Sequence, residues 1–217
     1  MDMLAITGTR YPSSEMTELC RKVAVAFRAL GWGLVTGNAK GIDSVARDAW
    51  NEKFPERVTL VLPWPDYNRD RIHPANKVLV YHNQRKWYAS VEQYHPAPGR
   101  LSDYAVKLHA RNYGIVELAD VVVAFPNDGK EGGGTGQGIR VARGLGKKLF
   151  VLPGDLDRLR QFYRQFVAHE PVDPKVKRLA AIAASLVNDI ECGDLDVALL
   201  PESLRRRLLK ALSGGDK

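Results

Sequence analysis

The run MLAITG at residues 3–8 decides the fold class when it is read together with GLVT at residues 33–36 and VTLVL at residues 58–62. Each run is short and apolar, and each ends at a glycine or a proline, as a buried strand does. The segments between the runs place apolar residues at helical spacing. This alternation of strand and helix is typical of a parallel, doubly wound sheet.

The pattern stops at residue 63 and returns at residue 102. Residues 63–101 are rich in Pro, His, Tyr, Trp and Arg, and so long an excursion is usually a lid, a binding loop or a locally folded insertion. A helix over 102–118 and the strand DVVVAF at 120–125 follow. A glycine-rich loop, a helix over 135–144 and a fifth strand at 148–152 complete the pattern. We therefore predict an α/β fold, a Rossmann-like doubly wound parallel sheet of about five strands, over residues 1–154.

The remaining residues, 155–217, predict a helical C-terminal extension rather than further strands. Apolar residues at helical spacing indicate helices at 156–167, 175–188 and 201–212, joined by turns that contain Pro and Asp. We expect these helices either to cover the sheet or to form a homodimer or higher homo-oligomer.

Composition narrows the function classes. The chain has 217 residues and a formal net charge of +7, and most of the basic excess falls in residues 1–154, where nucleotides, phosphates or nucleic acid could use it. Cys20 and Cys192 are the only cysteines, and no histidine or cysteine pair has metal-ligand spacing, so we predict no metal site. No run approaches the length of a membrane span, and no targeting segment is evident, so we expect a cytoplasmic protein.

Three glycine-bearing segments follow predicted strands, at the edge of an open parallel sheet where ligands bind. Glycines let backbone amides approach a phosphate, and a helix N-terminus favours an anion. The alternatives are a simple turn for the first segment, a helix cap at Asp43 for the second and a flexible surface loop for the third. The candidate phosphate-binding residues are Gly8, Thr9 and Arg10; Gly37, Lys40 and Gly41; and Gly133, Gly134, Thr135, Gly136 and Gln137.

Two further candidates, Arg111 and Asn112, lie in the helix that precedes the fourth predicted strand. Arg111 could face the same edge and contact a phosphate or a base, or it could lie on a solvated helix face. Aromatic and basic residues are also interleaved in the 63–101 segment. These aromatic residues could stack bases or form a small core of the insertion itself; they are Tyr67, Tyr81, Trp87, Tyr88 and Tyr94.

Together these motifs resemble the SLOG superfamily, the Rossmann-like group that joins DNA-processing protein A (DprA), YspA-type proteins and the LOG phosphoribohydrolases. The resemblance covers about residues 3–154 and rests on several motifs in the expected order. It is closest to phage-encoded SLOG or DprA-like proteins. The motifs are GTR at 8–10, TGNAKGID at 36–43, HPA at 95–97, RN at 111–112, DVVVAF at 120–125 and GGTGQ at 133–137.

The resemblance implies a nucleotide-binding domain and leaves two functions open. The first is binding of a nucleoside monophosphate or an NAD- or ADP-ribose-like molecule, with N-glycosidic hydrolysis as in LOG proteins as one form of it. The glutamate that LOG proteins carry three residues after the loop threonine is Gly138 here, so no catalytic residue is assigned; Glu131, Asp128 and Asp43 are the carboxylates that could substitute. The alternative is a DprA-like protein that binds single-stranded DNA in recombination or processing. Neither function requires a bound cofactor.

Overall fold

A computed structural model describes residues 1–80, 85–127 and 130–169. Strands and helices alternate along this part of the chain, and the bounds agree with the predicted elements to within a few residues. The strands are β1 (Met3–Gly8), β2 (Gly33–Thr36), β3 (Val58–Leu62), β4 (Lys77–Val80), β5 (Val121–Phe125) and β6 (Lys148–Val151). The helices are α1 (Ser14–Ala29), α2 (Ile42–Asn51), α3 (Arg85–Tyr94), α4 (Asp103–Glu117), α5 (Gly133–Gly144) and α6 (Leu156–His169).

The strands form one sheet of six, in the order β4-β3-β2-β1-β5-β6, and every neighbouring pair is parallel. β1 and β5 are neighbours in the middle of the sheet. From β1 the strands that follow in the chain are added towards one edge, and from β5 they are added towards the other, so the strand order reverses between these two strands. In open α/β sheets ligands bind outside the carboxyl ends of the strands at such a reversal. The predicted Rossmann-like fold is therefore confirmed, and its expected binding edge is the one formed by the C-terminal ends of β2, β1 and β5, which we call the carboxyl edge.

The sheet has one strand more than expected, because β4 lies inside the segment predicted as an insertion. Residues 77–80 pair with 59–62 of β3, so the segment from 63 to 101 contributes an edge strand and helix α3 to the domain. The strand escapes sequence analysis because it is an edge: Val78 and Leu79 are about two-fifths exposed, and neither face gives a clean buried run.

Two apolar layers hold the sheet. One face packs against α1, α2 and α6, with Phe27, Trp50 and Phe150 among its buried side chains. The other face packs against α3, α4 and α5 around Trp87 and Tyr113. All five residues of β5 are buried because helices cover both faces, and this explains its uninterrupted apolar sequence.

Local signals set the helix starts near the carboxyl edge. The Ser13 hydroxyl accepts a hydrogen bond from the amide of Met16 at the start of α1, and the Ser102 hydroxyl accepts one from Ala105 at the start of α4. The helix predicted at 156–167 is α6, whereas those predicted at 175–188 and 201–212 lie outside the described residues. Among the helices of the described ranges, none is long and apolar enough to span a membrane.

Candidate functional site

The three glycine-bearing segments meet at the carboxyl edge. The amide of Thr9 donates to the carbonyl oxygen of Phe125 at 2.9 Å and so joins the ends of β1 and β5. The amide of Ile42 donates to the carbonyl oxygen of Thr9 at 3.2 Å and so fixes the start of α2 beside the same turn. Gly138 of α5 lies against Thr7, where an added Cβ would be 3.7 Å from its methyl group. The three segments thus surround the C-terminal end of β1.

Gly8 and Gly41 are required by packing. A Cβ at Gly8 would lie 2.7 Å from the Ile42 side chain, and a Cβ at Gly41 would lie 2.3 Å from the carbonyl oxygen of Thr9. Gly41 also has a φ of +80°, in the left-handed region that favours glycine. These glycines let α2 approach the end of β1, a role that the sequence pattern does not distinguish from phosphate binding.

The loop after β2 is organised around the buried carboxylate of Asp43. It accepts hydrogen bonds from the amides of Gly37 at 3.2 Å and Ala39 at 3.4 Å, and it lies 3.6 Å from the guanidinium of Arg111. Burial raises the pKa of Asp43 above its ordinary value, while Arg111 and the backbone amides oppose the rise. The amide of Gly37, a predicted phosphate-binding residue, therefore donates to the protein's own carboxylate, as does the amide of Ala39.

Arg111 is buried rather than presented at the surface. Its side chain is 5% exposed and lies directly over Gly37, where an added Cβ would be 1.1 Å from Nη1. Its Cζ lies 5.7 Å from the ring centroid of Tyr67, and its Nε has no hydrogen-bond partner in the structure. Arg111 thus joins α4, the loop after β2 and the segment after β3.

The start of α5 has the most open backbone of the three segments. Gly132 is the N-cap and supplies no side-chain hydrogen bond, so the first amides of the helix lack the usual capping partner. Gly132, Gly133 and Gly134 are exposed, and a Cβ on either of the first two would meet no atom within 4 Å. Gly136 differs, because a Cβ there would lie 1.9 Å from the carbonyl oxygen of Glu131. Gly136 therefore closes the turn, while the exposed glycines leave the helix N-terminus open to an anion.

A polar cluster supports this helix start from α4. Asn112 donates from its side-chain amide to the carbonyl oxygen of Gly134 and to Oε1 of Gln137, each at 3.2 Å. Nδ1 of His109 lies 2.7 Å from the same Oε1, within hydrogen-bond distance. Burial lowers the pKa of His109, so the ring is neutral near pH 7. Nε2 of Gln137 is fully buried without a hydrogen-bond partner.

Cationic and aromatic side chains surround the carboxyl edge. Arg10 and Lys40 are exposed beside the α2 start. Trp64 contacts the rings of Tyr67 and Tyr104, with centroids 5.1 and 4.8 Å apart, and Tyr104 is 57% exposed. We call Trp64, Tyr67 and Tyr104 the edge aromatic cluster. It lies at the end of β3 and the start of α4.

The other aromatic residues of the 63–101 segment have different positions. Trp87 is buried against α4, where Gly114 leaves room for its ring, and its indole Nε1 donates to Glu117 at 2.9 Å. Tyr94 packs in the same way on Gly144 of α5. They belong to the core of the domain, not to a separate core of an insertion. Tyr88 is half exposed, and Tyr81 lies outside the described residues.

Neither of the two substitute carboxylates that the structure describes, Glu131 and Asp43, is placed as a free acid. Glu131 forms a two-point ion pair with Arg143 at 2.5 and 2.6 Å, and this hydrogen bonding lowers the pKa of Glu131. Asp43 is buried in the arrangement described above, and Asp128 lies outside the described residues. Within the described ranges, no group of three or more His, Cys, Asp or Glu side chains is arranged to hold a metal ion.

The comparisons with known proteins agree with this architecture. The family model for DNA recombination-mediator protein A matches residues 1–165. A search of the curated proteins finds no match.

Two solved structures share the fold. DNA processing protein A from Helicobacter pylori, described for its unique single-stranded DNA binding mode, matches with a TM-score of 0.51 and 23% identity over 75% of this chain and 73% of its own. DNA processing protein A from Streptococcus pneumoniae matches with a TM-score of 0.51 and 21% identity over 76% of this chain and 56% of its own. At these identities the likeness shows the fold alone.

Proposed function

Because the chain belongs to the DNA recombination-mediator protein A family, we propose that it binds single-stranded DNA across the carboxyl edge of its sheet. The observation that carries the proposal is the open glycine N-terminus of α5, which lies on the same edge as exposed cations and the edge aromatic cluster. The sequence favours a small nucleotide ligand first and DNA as the alternative. Family membership favours the alternative.

The start of α5 is proposed to hold one backbone phosphate. Its first amides are uncapped, and Gly132 and Gly133 leave them sterically accessible. Amides at a helix N-terminus attract anions through both hydrogen bonds and the helix dipole. Arg10 adds a guanidinium at the neighbouring end of β1, so a phosphate there meets two kinds of donor.

The edge aromatic cluster is proposed to hold a base. Tyr104 leaves much of its ring exposed, and Trp64 supports it from behind at 4.8 Å. A base has a π-face whatever its identity, so such a platform suits binding without sequence preference. Arg111 is a positioning residue in this arrangement, because it fixes Tyr67 and the loop after β2 from below.

The test is fluorescence anisotropy with a labelled oligo-dT of about twenty nucleotides, a length above the roughly 4–16 nucleotides that one single-strand site spans. Gly132→Glu places a carboxylate where the phosphate would bind, at a position with an ordinary φ of −95° and no atom within reach of the new Cβ. Losing a charge-assisted hydrogen bond of ~1.5–3 kcal/mol predicts a Kd raised by about 10- to 150-fold.

The matched control is Lys53→Gln, which changes the net charge by the same amount near the C-terminal end of α2, away from the carboxyl edge. We expect its affinity to stay within about twofold of the wild type, since exposed charges beyond a Debye length of ~10 Å are screened. If both variants lose the same affinity for oligo-dT, the effect comes from net charge alone, and the assigned phosphate site is refuted.

A mononucleotide or ADP-ribose-like ligand is the second candidate, and the buried Nε2 of Gln137 favours it. A buried donor without a partner is the kind of group that a ligand acceptor satisfies. A thermal-shift panel of mononucleotides, NAD and ADP-ribose separates the two, because a ligand that binds the folded state raises the melting temperature. A rise with one mononucleotide that is insensitive to salt supports this candidate; a rise only with the oligonucleotide, lost at high salt, supports DNA.

Two further expectations accompany the proposal. A protein that binds single-stranded DNA in this way would act in the cytoplasm, as the sequence predicts. The homodimer that the sequence predicts is tested by sedimentation of the full chain with and without oligonucleotide.

A further inference from the structure

A second basic surface lies along β6, at the opposite end of the sheet from β4. It is an open groove of about 480 Å³ between the end of α5, β6 and the start of α6. Four cations and one carboxylate line it together with apolar and glycine residues. The charged residues are Arg143, Lys147, Lys148, Asp155 and Arg158.

The cations of this groove exceed the carboxylates that pair with them. Arg143 pairs with Glu131 and Arg158 pairs with Asp155, and the two arginine side chains remain 54% and 64% exposed. Lys147 donates to the carbonyl oxygens of Glu117 and Ala119, which carry no net charge.

Lys148 is exposed and approaches the ring of Phe150 at 6.0 Å. The groove and its two carboxylates therefore keep about two positive charges in excess, a surface that attracts a polyanion.

The groove continues from the proposed phosphate site. Glu131, which anchors Arg143, directly precedes the open start of α5. Asp155 and Arg158 follow the C-terminal end of β6, beside the carboxyl edge, whereas Lys147 and Lys148 lie where β6 begins. The strand between them spans roughly 10 Å at ~3.3 Å per residue, so the cations are spread along the strand rather than gathered at one point.

We propose that this β6 groove is a second phosphate-binding surface, which holds the stretch of single-stranded DNA that leaves the start of α5. The inference rests on the proposed function and extends it from one phosphate to a path. Charge complementarity favours a phosphodiester backbone as the occupant, because its charges repeat along a line as the groove cations do. The single-contact ion pair of Arg158 with Asp155 contributes little to stability because Arg158 is mostly exposed, so a phosphate can replace that carboxylate.

The experiment compares two oligonucleotides on one pair of variants. An oligo-dT of about three nucleotides, which spans roughly 10 Å at ~3.4 Å per nucleotide, covers the α5 site alone, and one of about twenty nucleotides reaches the groove. The variant Lys148→Glu/Arg158→Glu reverses two exposed groove charges. The control, Lys22→Glu/Lys53→Glu, makes the same change in net charge on α1 and after α2.

We expect the groove variant to raise the Kd of the long oligonucleotide by about tenfold or more relative to the control and to leave that of the short one within twofold. For the long oligonucleotide, the slope of log K against log salt concentration is negative, and the groove variant should make it shallower by about 1.4. Each lost single-strand phosphate contact reduces the magnitude of that slope by ~0.7. The neutral pair Lys148→Gln/Arg158→Gln should give a smaller loss in the same direction.

The outcomes separate the two proposals. If the wild type binds both oligonucleotides and the groove variant matches the control on both, the groove is not a DNA path, and the α5 site stands. If the groove variant loses the same affinity for both oligonucleotides, the effect is one of the overall electrostatic field, and the proposal of a DNA path in the groove is overturned. A gain in affinity of the groove variant for the long oligonucleotide would also overturn the groove as a DNA path. Failure of the wild type to bind either length refutes both proposals.

Discussion

The substitution Arg111→Leu removes one half of a buried ion pair and should make the stability of the domain depend on pH. Both side chains are nearly inaccessible, 5% exposed for Arg111 and 4% for Asp43, and their charged atoms lie 3.6 Å apart. Leucine removes the cation and leaves the carboxylate with backbone amides, those of Gly37, Ala39 and Gly8, as its partners. An uncompensated buried charge results.

The magnitude follows from that burial. Breaking a buried pair by removing one partner costs ~3–5 kcal/mol, and in a domain of this size each kcal/mol lowers Tm by ~2–4 °C, so we expect a fall of about 6–20 °C near neutral pH. Burial raises the folded-state pKa of Asp43, and loss of Arg111 raises it further. A carboxyl group whose pKa is higher in the folded protein than in the unfolded protein stabilises the fold fully at pH values below its unfolded-state pKa of about 3.9. This stabilisation is lost as the pH rises through the folded-state pKa. The variant should therefore lose more stability than the wild type as pH rises from the acid side towards neutrality.

The assay is urea unfolding of the full chain between pH 5 and pH 8, with Asp43→Asn and the double variant Asp43→Asn/Arg111→Leu alongside. Asparagine keeps an oxygen that accepts from Gly37 and Ala39 but carries no charge. The double variant should recover most of the loss and show little pH dependence. Single losses that add within ~0.5 kcal/mol, or an Arg111→Leu variant whose stability is flat with pH, would refute the buried pair.

Three more contacts are tested by further substitutions. Gly136→Ala places a Cβ 1.9 Å from a backbone oxygen of the preceding loop and should cost at least ~1–3 kcal/mol in urea unfolding, whereas Gly132→Ala, which meets nothing within 4 Å, should change stability by less than ~0.5 kcal/mol. Gly114→Ala drives a Cβ to 2.4 Å from the Trp87 ring and should destabilise by ~1–3 kcal/mol, with a matching loss of tryptophan burial in the fluorescence spectrum. Tyr104→Ala should weaken oligo-dT binding by about 5- to 150-fold through loss of ~1–3 kcal/mol of base stacking, while Tyr104→Phe should bind nearly as the wild type; a similar loss in both would place the hydroxyl, not the ring, in the contact.

Most of the sheet could be predicted from the sequence, because its signals are local. The buried strands are continuous apolar runs, the helices have apolar residues at helical spacing, and α1 and α4 begin at capping serines. Strand β4 could not be predicted in this way. Its residues are exposed on both faces, and only their pairing with β3 makes them a strand.

The candidate site divides in the same manner. Sequence alone places three glycine segments after strand ends, and in a parallel sheet those ends must share one edge. It does not show which amides are free. Gly37 and the exposed glycines before α5 look alike in sequence, yet the first donates to Asp43 and the others remain open.

The sequence by itself determined that this chain builds a parallel α/β sheet with glycine-rich turns at its carboxyl edge, since hydrophobic period and turn chemistry act over a few neighbouring residues. Only the tertiary structure decided that Arg111 is buried against Asp43, that Trp87 fills the space over Gly114, and that the cations of α5, β6 and α6 line one groove. Those facts are distances between residues far apart in the chain. They are set by how helices dock on the sheet, and no local pattern encodes them.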